Sequence, residues 1–549
     1  MLSTPHSREA LLRDLVSIPS VTASAEENSA ALFVRDYLSK LNYFKNNPAH
    51  LEMVSTPLEG DASRPLCSVS ALMRAPSGTK KTVILLAHFD VVDIGVYGEL
   101  AEYAFSPDEL AKRLRSVKLP ASAVDDLKSG GWLFGRGTAD MKCGLAIEME
   151  LLRDYDHDRK MFDVNLLLAA VPDEENASCG ARGMARHLAQ LMEAEDIDYI
   201  ACINTEPSEA GLQDAKNQLL FLGSLGKLMP AFYCRGVPTH SGNYYRGLSA
   251  ALLSSNVVCA AEAASELANP NRETCQPSWI CLGHGILSEG YSVTVPNRSV
   301  AYFNCFTATK TPSEVMGEMK RVAEDAAEAS IHRLRDSHAA LASMGYKPGM
   351  DDFTVRVITF GSIAKAAAKS CGGRDSLDRH VAEFLAKRSG DLRGLGIAVI
   401  EEMLRMAPLE PPFIAVGFLP PYNPPRTSLD GAPKSNVLAR TADRIVSEAK
   451  SRFNVDMDIE EFYNGITDLS FMGFSGSKDD VTCFTDNCPI ASSLFGVPFG
   501  GMMKIDVPVM NLGPCGRDAH KMTERLEMKY SLDILPNLLA FAVKTISES

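Results

Sequence analysis

The sequence predicts an α/β protein: a mostly parallel sheet flanked by helices, interrupted by an inserted α+β sandwich. Three observations predict it. Apolar runs of strand type alternate with helical patterns through the first part of the chain, as expected of parallel strands joined by crossover helices. From Gly223 the order becomes strand, helix, two strands, helix, strand, which is that of a split sandwich. At 549 residues the chain exceeds what one hydrophobic core serves, so at least two domains are expected.

Taken in order, apolar residues at helical spacing predict helices over 7–16 and 26–41. A strand follows over 67–73. In the next, five apolar residues from Val83 to Ala87 run into His88, Phe89 and Asp90. A helix over 140–154 follows a Gly-rich turn. Residues 165–171 form a continuous apolar strand, 180–193 a helix and 199–204 another strand. The second region reads as a strand over 227–236, an Ala-rich helix over 247–267 and a hairpin over 278–286 and 291–306. A helix over 312–335 and a strand over 353–358 complete it. Residues 361–408 are charged and helical and read as an insertion. A strand over 413–418 leads into a Pro-rich stretch, 419–426, predicted as a rigid connector. The tail returns to α/β pattern, with a strand over 507–512 and a helix over 531–546. The expected division is 1–222, 223–430 and 431–549, the first and last forming one domain.

Composition narrows the function classes. The hydrophobic fraction of 46% and charged fraction of 23% are those of a globular protein in water. A net charge of −14 argues against a nucleic-acid surface, which needs clustered Lys and Arg. The N-terminal stretch lacks the basic start and apolar core of a secretion signal, and no apolar run reaches membrane-spanning length. Thirteen cysteines, odd in number, scattered and without a Cys-x-x-Cys pair, read as reduced thiols in a cytosolic protein.

Five acidic or imidazole clusters follow one another. In an extended segment His88 and Asp90 point to the same side, so a carboxylate can orient the imidazole. Asp140, within Gly135-Arg-Gly-Thr-Ala-Asp-Met-Lys-Cys-Gly144, stands at a helix start; taken singly it reads first as an N-cap and second as a carboxylate presented by a glycine turn. Asp173, Glu174 and Glu175 leave an apolar strand side by side; their repulsion is costly unless a cation sits there. Glu206 ends another strand, with Glu209 a nearby rival. His520, in Gly513-Pro-Cys-Gly-Arg-Asp-Ala-His520, follows the 507–512 strand, with Glu524 one turn on. Strands ending in these groups can converge on one face of one sheet. Two histidines and three carboxylates suit a pair of divalent ions of borderline softness, zinc first.

In this order the motifs resemble the M20 family of metallopeptidases and amidohydrolases, above all its longer arginine-utilisation subgroup. The resemblance covers nearly the whole chain, beginning at Leu15-Val-Ser-Ile-Pro-Ser-Val-Thr22. It implies a zinc-peptidase-like catalytic domain with an inserted lid domain, through which relatives dimerise. Two divalent metals are implied, zinc with cobalt or manganese as alternatives. His88 and Glu206 would hold one ion, Glu175 and His520 the other, and Asp140 would bridge them. Asp90 would orient His88, and Glu174 would act as general base. His240, in Gly236-Val-Pro-Thr-His-Ser-Gly242, matches a lid histidine that polarises the scissile carbonyl. Gly465-Ile-Thr-Asp468 resembles a turn lining the site.

One departure stands out. Where many relatives grip a substrate carboxylate with an Asn and an Arg of the lid hairpin, this chain has Val293 and Phe306. Asn297 and Arg298 lie nearby but out of register, and a slip of one residue reverses the face. The expected activity is hydrolysis of an amide-type C–N bond in a small peptide or N-acylated amino acid, with no nucleic-acid or membrane partner. The alternatives are a ureido or amidino bond, or a non-catalytic metabolite-binding protein of the same fold.

Overall fold

Strands Lys81–His88 and Asn165–Val171 have almost no polar alternation because both faces of their sheet are covered. The computed structural model describes residues 2–58, 61–208, 217–271, 274–287, 292–346, 348–463 and 465–549. The chain divides into two units: Met1–Leu225, Arg426–Phe474 and Pro498–Ser549 form the first, Gly226–Pro425 and Ser475–Val497 the second.

The first unit is built on an eight-stranded sheet. Its order is Leu51–Leu58, Asp61–Met73, Asn165–Val171, Lys81–His88, Asp198–Asn204, Val509–Asn511, Gln218–Phe221 and Met457–Glu460. The four middle strands, from Asn165–Val171 to Val509–Asn511, run parallel. The first two strands are antiparallel to their neighbours, and Asn511 meets Phe221 in antiparallel sense, so the whole sheet is mixed. Helices Pro5–Val16, Lys142–His157 and Leu535–Ser547 bury Leu12, Leu145, Ile147 and Leu538 in one core with Leu85 and Leu168 of the sheet. Helix Cys179–Ala194 packs on the first two strands. Parallel strands all end on the same side, which brings His88, the residues after Val171 and those after Asn204 to one edge.

The second unit holds a five-stranded sheet in the order Ile280–Ile286, Arg298–Thr307, Gly226–Arg235, Phe413–Asn423 and Arg356–Thr359. All neighbours are antiparallel except the last pair. Helices Ala250–Ala261 and Pro312–Ser343 pack together against it. The longer one opens with a capping box between Thr311 and Glu314. The insertion forms three helices, Phe360–Cys371, Arg374–Leu385 and Leu392–Met406.

Several elements differ from the sequence reading. The stretch 419–426 is largely strand rather than connector: Phe413–Asn423 is buried throughout and passes its prolines at a register shift between Leu419 and Asn423, where a missing N–H is tolerated. The Ala-rich helix stops at Ala261, because Glu262 is extended and Ala263 has φ 55°. The hairpin's second strand starts at Arg298; Tyr291, its expected start, lies outside the described residues. Residues 475–497 belong with the second unit, where Phe484 packs on Tyr422 at 4.7 Å between ring centroids. Among the described residues no helix is long and apolar enough to cross a membrane.

Candidate metal centre

In the first unit, the strand carrying His88 ends buried, and its imidazole is only 1% exposed. His88 Nδ1 lies 3.0 Å from the Asp90 carbonyl and 3.4 Å from its carboxylate, which leaves Nε2 facing outward. That nitrogen is 3.2 Å from Asp140 Oδ1 and 3.4 Å from Glu206 Oε1. Asp140 does not cap a helix: the N-cap position of Lys142–His157 is Met141, without a side-chain cap. Instead Asp140 Oδ2 lies 3.2 Å from His520 Nε2, which is 3.1 Å from Glu175 Oε1. One ligand atom from each of His88, Asp140 and Glu175 falls within 4.8 Å of the others. The structure thus brings His88, Asp140, Glu175, Glu206 and His520 together, with Glu174 adjoining Glu175.

Backbone anchoring holds these groups. The Asp90 carboxylate accepts from the N–H of Glu174 (3.1 Å), the N–H of Glu175 (3.3 Å) and the Thr22 hydroxyl (2.9 Å). Glu206 is clamped by Asn511, whose side chain accepts from the Glu206 N–H at 2.8 Å and donates to its carbonyl at 3.0 Å. Glu524 is fully buried beneath the turn before Asp140. It accepts from the N–H groups of Gly137 (2.8 Å), Ala139 and Asp140 (both 3.4 Å) and pairs with buried Arg136.

Electrostatics show a site short of positive charge. Burial pushes the Glu174 carboxyl well above its usual range and raises Glu206 to about 7, each partly offset by His88. Burial would lower the His88 pKa, but Glu206, Asp140 and Asp90 outweigh it and hold it well above the ordinary value. Hydrogen bonds to Asp140 and Glu175 raise His520 to about 10. Burial opposes ionisation of Asp140, yet the two histidines hold its pKa low. Among the described residues no lysine or arginine forms an ion pair with Asp140, Glu175 or Glu206. Carboxylates gathered out of water need a counter-charge. Imidazole nitrogens and carboxylate oxygens converging without Lys or Arg are the donor set a divalent ion requires.

Of the other predicted residues that the structure describes, all but Asp468 stand apart from these contacts. His240 belongs to the second unit, where it is exposed; its Nδ1 accepts from Gly242 N at 3.1 Å, which leaves Nε2 to donate. Val293 is 53% exposed and Phe306 half-buried in strand Arg298–Thr307. Glu209 lies outside the described residues. Asp468, by contrast, adjoins the cluster: it is buried in the turn Asp468–Phe471, where burial pushes its pKa to about 8, His88 pulls it down, and Asp90 and Glu206 add to the rise. The sequence signals the Asp90–His88 pairing but not the bonds from Asp90 to the backbone of Glu174 and Glu175, nor the anchoring by Asn511 and Glu524. Glu524 stands four positions past His520, but its bond to Asp140 spans 384 positions, which no local pattern signals.

The fold and site define a metal-dependent hydrolase acting on C–N bonds. The sequence matches the model of peptidase family M20/M25/M40 over residues 84–548, and the chain belongs to that family. It is 33% identical to protein YqjN of Bacillus subtilis (strain 168), over 98% of this chain and 96% of that protein. It is 26% identical to protein RocB of the same organism, over 97% and 93%. Among solved structures it resembles the M20 metallo-carboxypeptidase Sso-CP2 of Sulfolobus solfataricus, with TM-score 0.53 and 11% identity, covering 98% of this chain and 99% of that one. It also resembles human carnosine dipeptidase 1, with TM-score 0.52 and 12% identity, covering 99% and 97%. At these identities the structural likeness establishes the fold.

Proposed function

We propose that the protein holds two divalent cations, zinc before cobalt or manganese, and hydrolyses the amide bond of a short peptide or N-acylated amino acid in the cytosol. The observation that carries this reading is the division of the Asp140 carboxylate. One oxygen faces His88, beside Glu206, and the other faces His520, beside Glu175. That is the disposition of a bridging ligand with one His–carboxylate pair on each side. When bound, such a cation pair supplies Lewis acidity, polarising a carbonyl and making an attacking water more acidic.

The chain's own groups do the rest. Glu174, partly buried beside the ligands, takes a proton from the attacking water and returns it to the leaving nitrogen. Asp90 positions both His88 and the backbone of Glu174. His240, with Nε2 free to donate, acts across a homodimer, stabilising the oxyanion at the neighbouring subunit's centre. A cytosolic setting accords with the buried thiols of Cys143, Cys202, Cys234 and Cys305, which form no disulfide. The reading includes a homodimer formed through the second unit. Its outermost strand, Ile280–Ile286, exposes Ile280, Leu282 and Ile286.

Screening dipeptides and N-acyl amino acids with the zinc-loaded enzyme tests the substrate class. Turnover of none of them, with both cations bound, would favour the metabolite-binding alternative. Ureido and amidino substrates belong in the same screen, because Val293 and Phe306 supply no charge for the free carboxylate of a peptide.

A further inference from the structure

A cavity of about 670 Å³ opens between the five-stranded sheet and the inserted helices of the second unit. Four arginines line it, Arg235, Arg298, Arg388 and Arg405, against two carboxylates, Glu401 and Glu402. Glu402 is saturated: it accepts two hydrogen bonds from Arg405, at 2.8 and 2.6 Å, and contacts His380 at 2.7 Å. Glu401 accepts from Arg298 at 2.9 Å and from the buried Tyr233 hydroxyl at 3.3 Å.

Arg235 and Arg388 have no such acid partner among the described residues; the Arg235 side chain hydrogen-bonds the Tyr233 hydroxyl instead. Arg388 donates to the Phe384 carbonyl at 2.9 Å, and its guanidinium carbon lies 3.5 Å from the centroid of that ring. Arg235 stands directly opposite Arg298 on the antiparallel ladder between Gly226–Arg235 and Arg298–Thr307. Like charges in such a cross-strand pair destabilise a sheet, and a single glutamate answers this one. The remaining wall is apolar, with Leu404, Leu409 and Phe413. A concave space with surplus guanidinium charge concentrates anions, and the planar fork of arginine matches a carboxylate or phosphate.

We infer that this cavity is a second ligand site, for a small organic molecule carrying two negative charges on an apolar stem. Arg235 and Arg388 hold its carboxylate or phosphate groups, and the stem lies against Leu404 and Phe413. The site gives the insertion a task separate from the metal centre and does not depend on the proposed reaction.

Isothermal titration of the metal-loaded enzyme with glutarate, and separately with inorganic phosphate, at fixed ionic strength tests it. One of the two is expected to bind saturably with Kd below about 1 mM. Tighter glutarate identifies carboxylate recognition, and tighter phosphate identifies phosphate recognition. Arg235→Ala and Arg388→Ala should each weaken binding about tenfold or more while leaving the far-ultraviolet circular dichroism of the protein unchanged. Ala398→Phe, which fills the cavity without touching the arginines, should abolish binding; it decides the matter if the arginine variants fold poorly. Saturable binding by neither anion, or binding that survives these substitutions, overturns the proposal.

Discussion

Asp140 Oδ2 lies 3.2 Å from His520 Nε2, and the other oxygen of the same carboxylate lies 3.2 Å from His88 Nε2. One side chain therefore addresses two imidazoles that are far apart in sequence. Asp140→Ala is expected to lose both cations after dialysis against zinc. His520→Ala should retain about one equivalent, held by His88, Glu206 and Asp140. Metal analysis by plasma mass spectrometry distinguishes the two; equal retention by both variants would contradict the bridging role.

Glu174 adjoins this set and feels the charges of His88, Glu206 and Glu175, without forming an ion pair with either histidine among the described residues. Glu174→Gln should keep full metal content and lower kcat by about 10²–10⁴, the usual contribution of a general base. Metal content and steady-state rates on one preparation suffice. Activity within a few-fold of the parent would remove Glu174 from the role.

Glu524 holds the Asp140 turn and neutralises Arg136. Glu524→Ala leaves that arginine buried without its carboxylate, which is expected to cost about 3–5 kcal/mol in denaturant titrations. Glu524→Gln keeps the backbone acceptor and should be milder. Both should weaken zinc binding, by about 10–100-fold for the alanine variant, because the ligand's support is lost while the ligand remains.

Burial, and then Asp90 and Asp173, push the Glu27 carboxyl from its ordinary 4.5 up to about 9. Folded protein thus keeps a proton that the unfolded chain releases near 4.5. Stability from this group is full below that value and disappears as pH climbs through about 9. Unfolding of the chelated protein between about pH 5 and 9 should show stability falling by at most about 1.4 kcal/mol per pH unit for this one proton. Glu27→Gln should flatten the slope. An unchanged slope would mean that Glu27 is already ionised.

A Cβ added at Gly513 would fall 1.8 Å from the Glu206 carbonyl oxygen, and that backbone is clamped by Asn511. Gly513→Ala must therefore displace Glu206. Destabilisation of roughly 1–3 kcal/mol is expected, together with reduced metal content. Gly500→Ala, where a Cβ meets nothing within 4 Å, serves as the control.

What could be read from the sequence followed from how residues are buried. Asn165–Val171 has the predicted limits because a strand covered on both faces is apolar from end to end. The acids and imidazoles at strand exits were visible for the same reason: each interrupts such a run. Composition misled at residues 419–426, where prolines suggest a connector but a buried strand continues past them. Pairings were hidden altogether. Nothing near Glu524 announces Arg136, and nothing near Asp90 announces that its carboxylate takes up the N–H groups of Glu174 and Glu175. Such bonds depend on register between distant strands, which local pattern does not encode.

Strand Val509–Asn511 lies between Asp198–Asn204 and Gln218–Phe221 rather than at an edge of the sheet. During synthesis the ribosome makes both of these neighbours long before the strand that separates them. The nascent first unit must wait with a gap in its middle, and His520 follows that strand by only a few residues. Assembly of the histidine–carboxylate cluster is therefore a late event in biogenesis, and a chain halted before Val509 can form neither the continuous sheet nor the His520 side of the cluster.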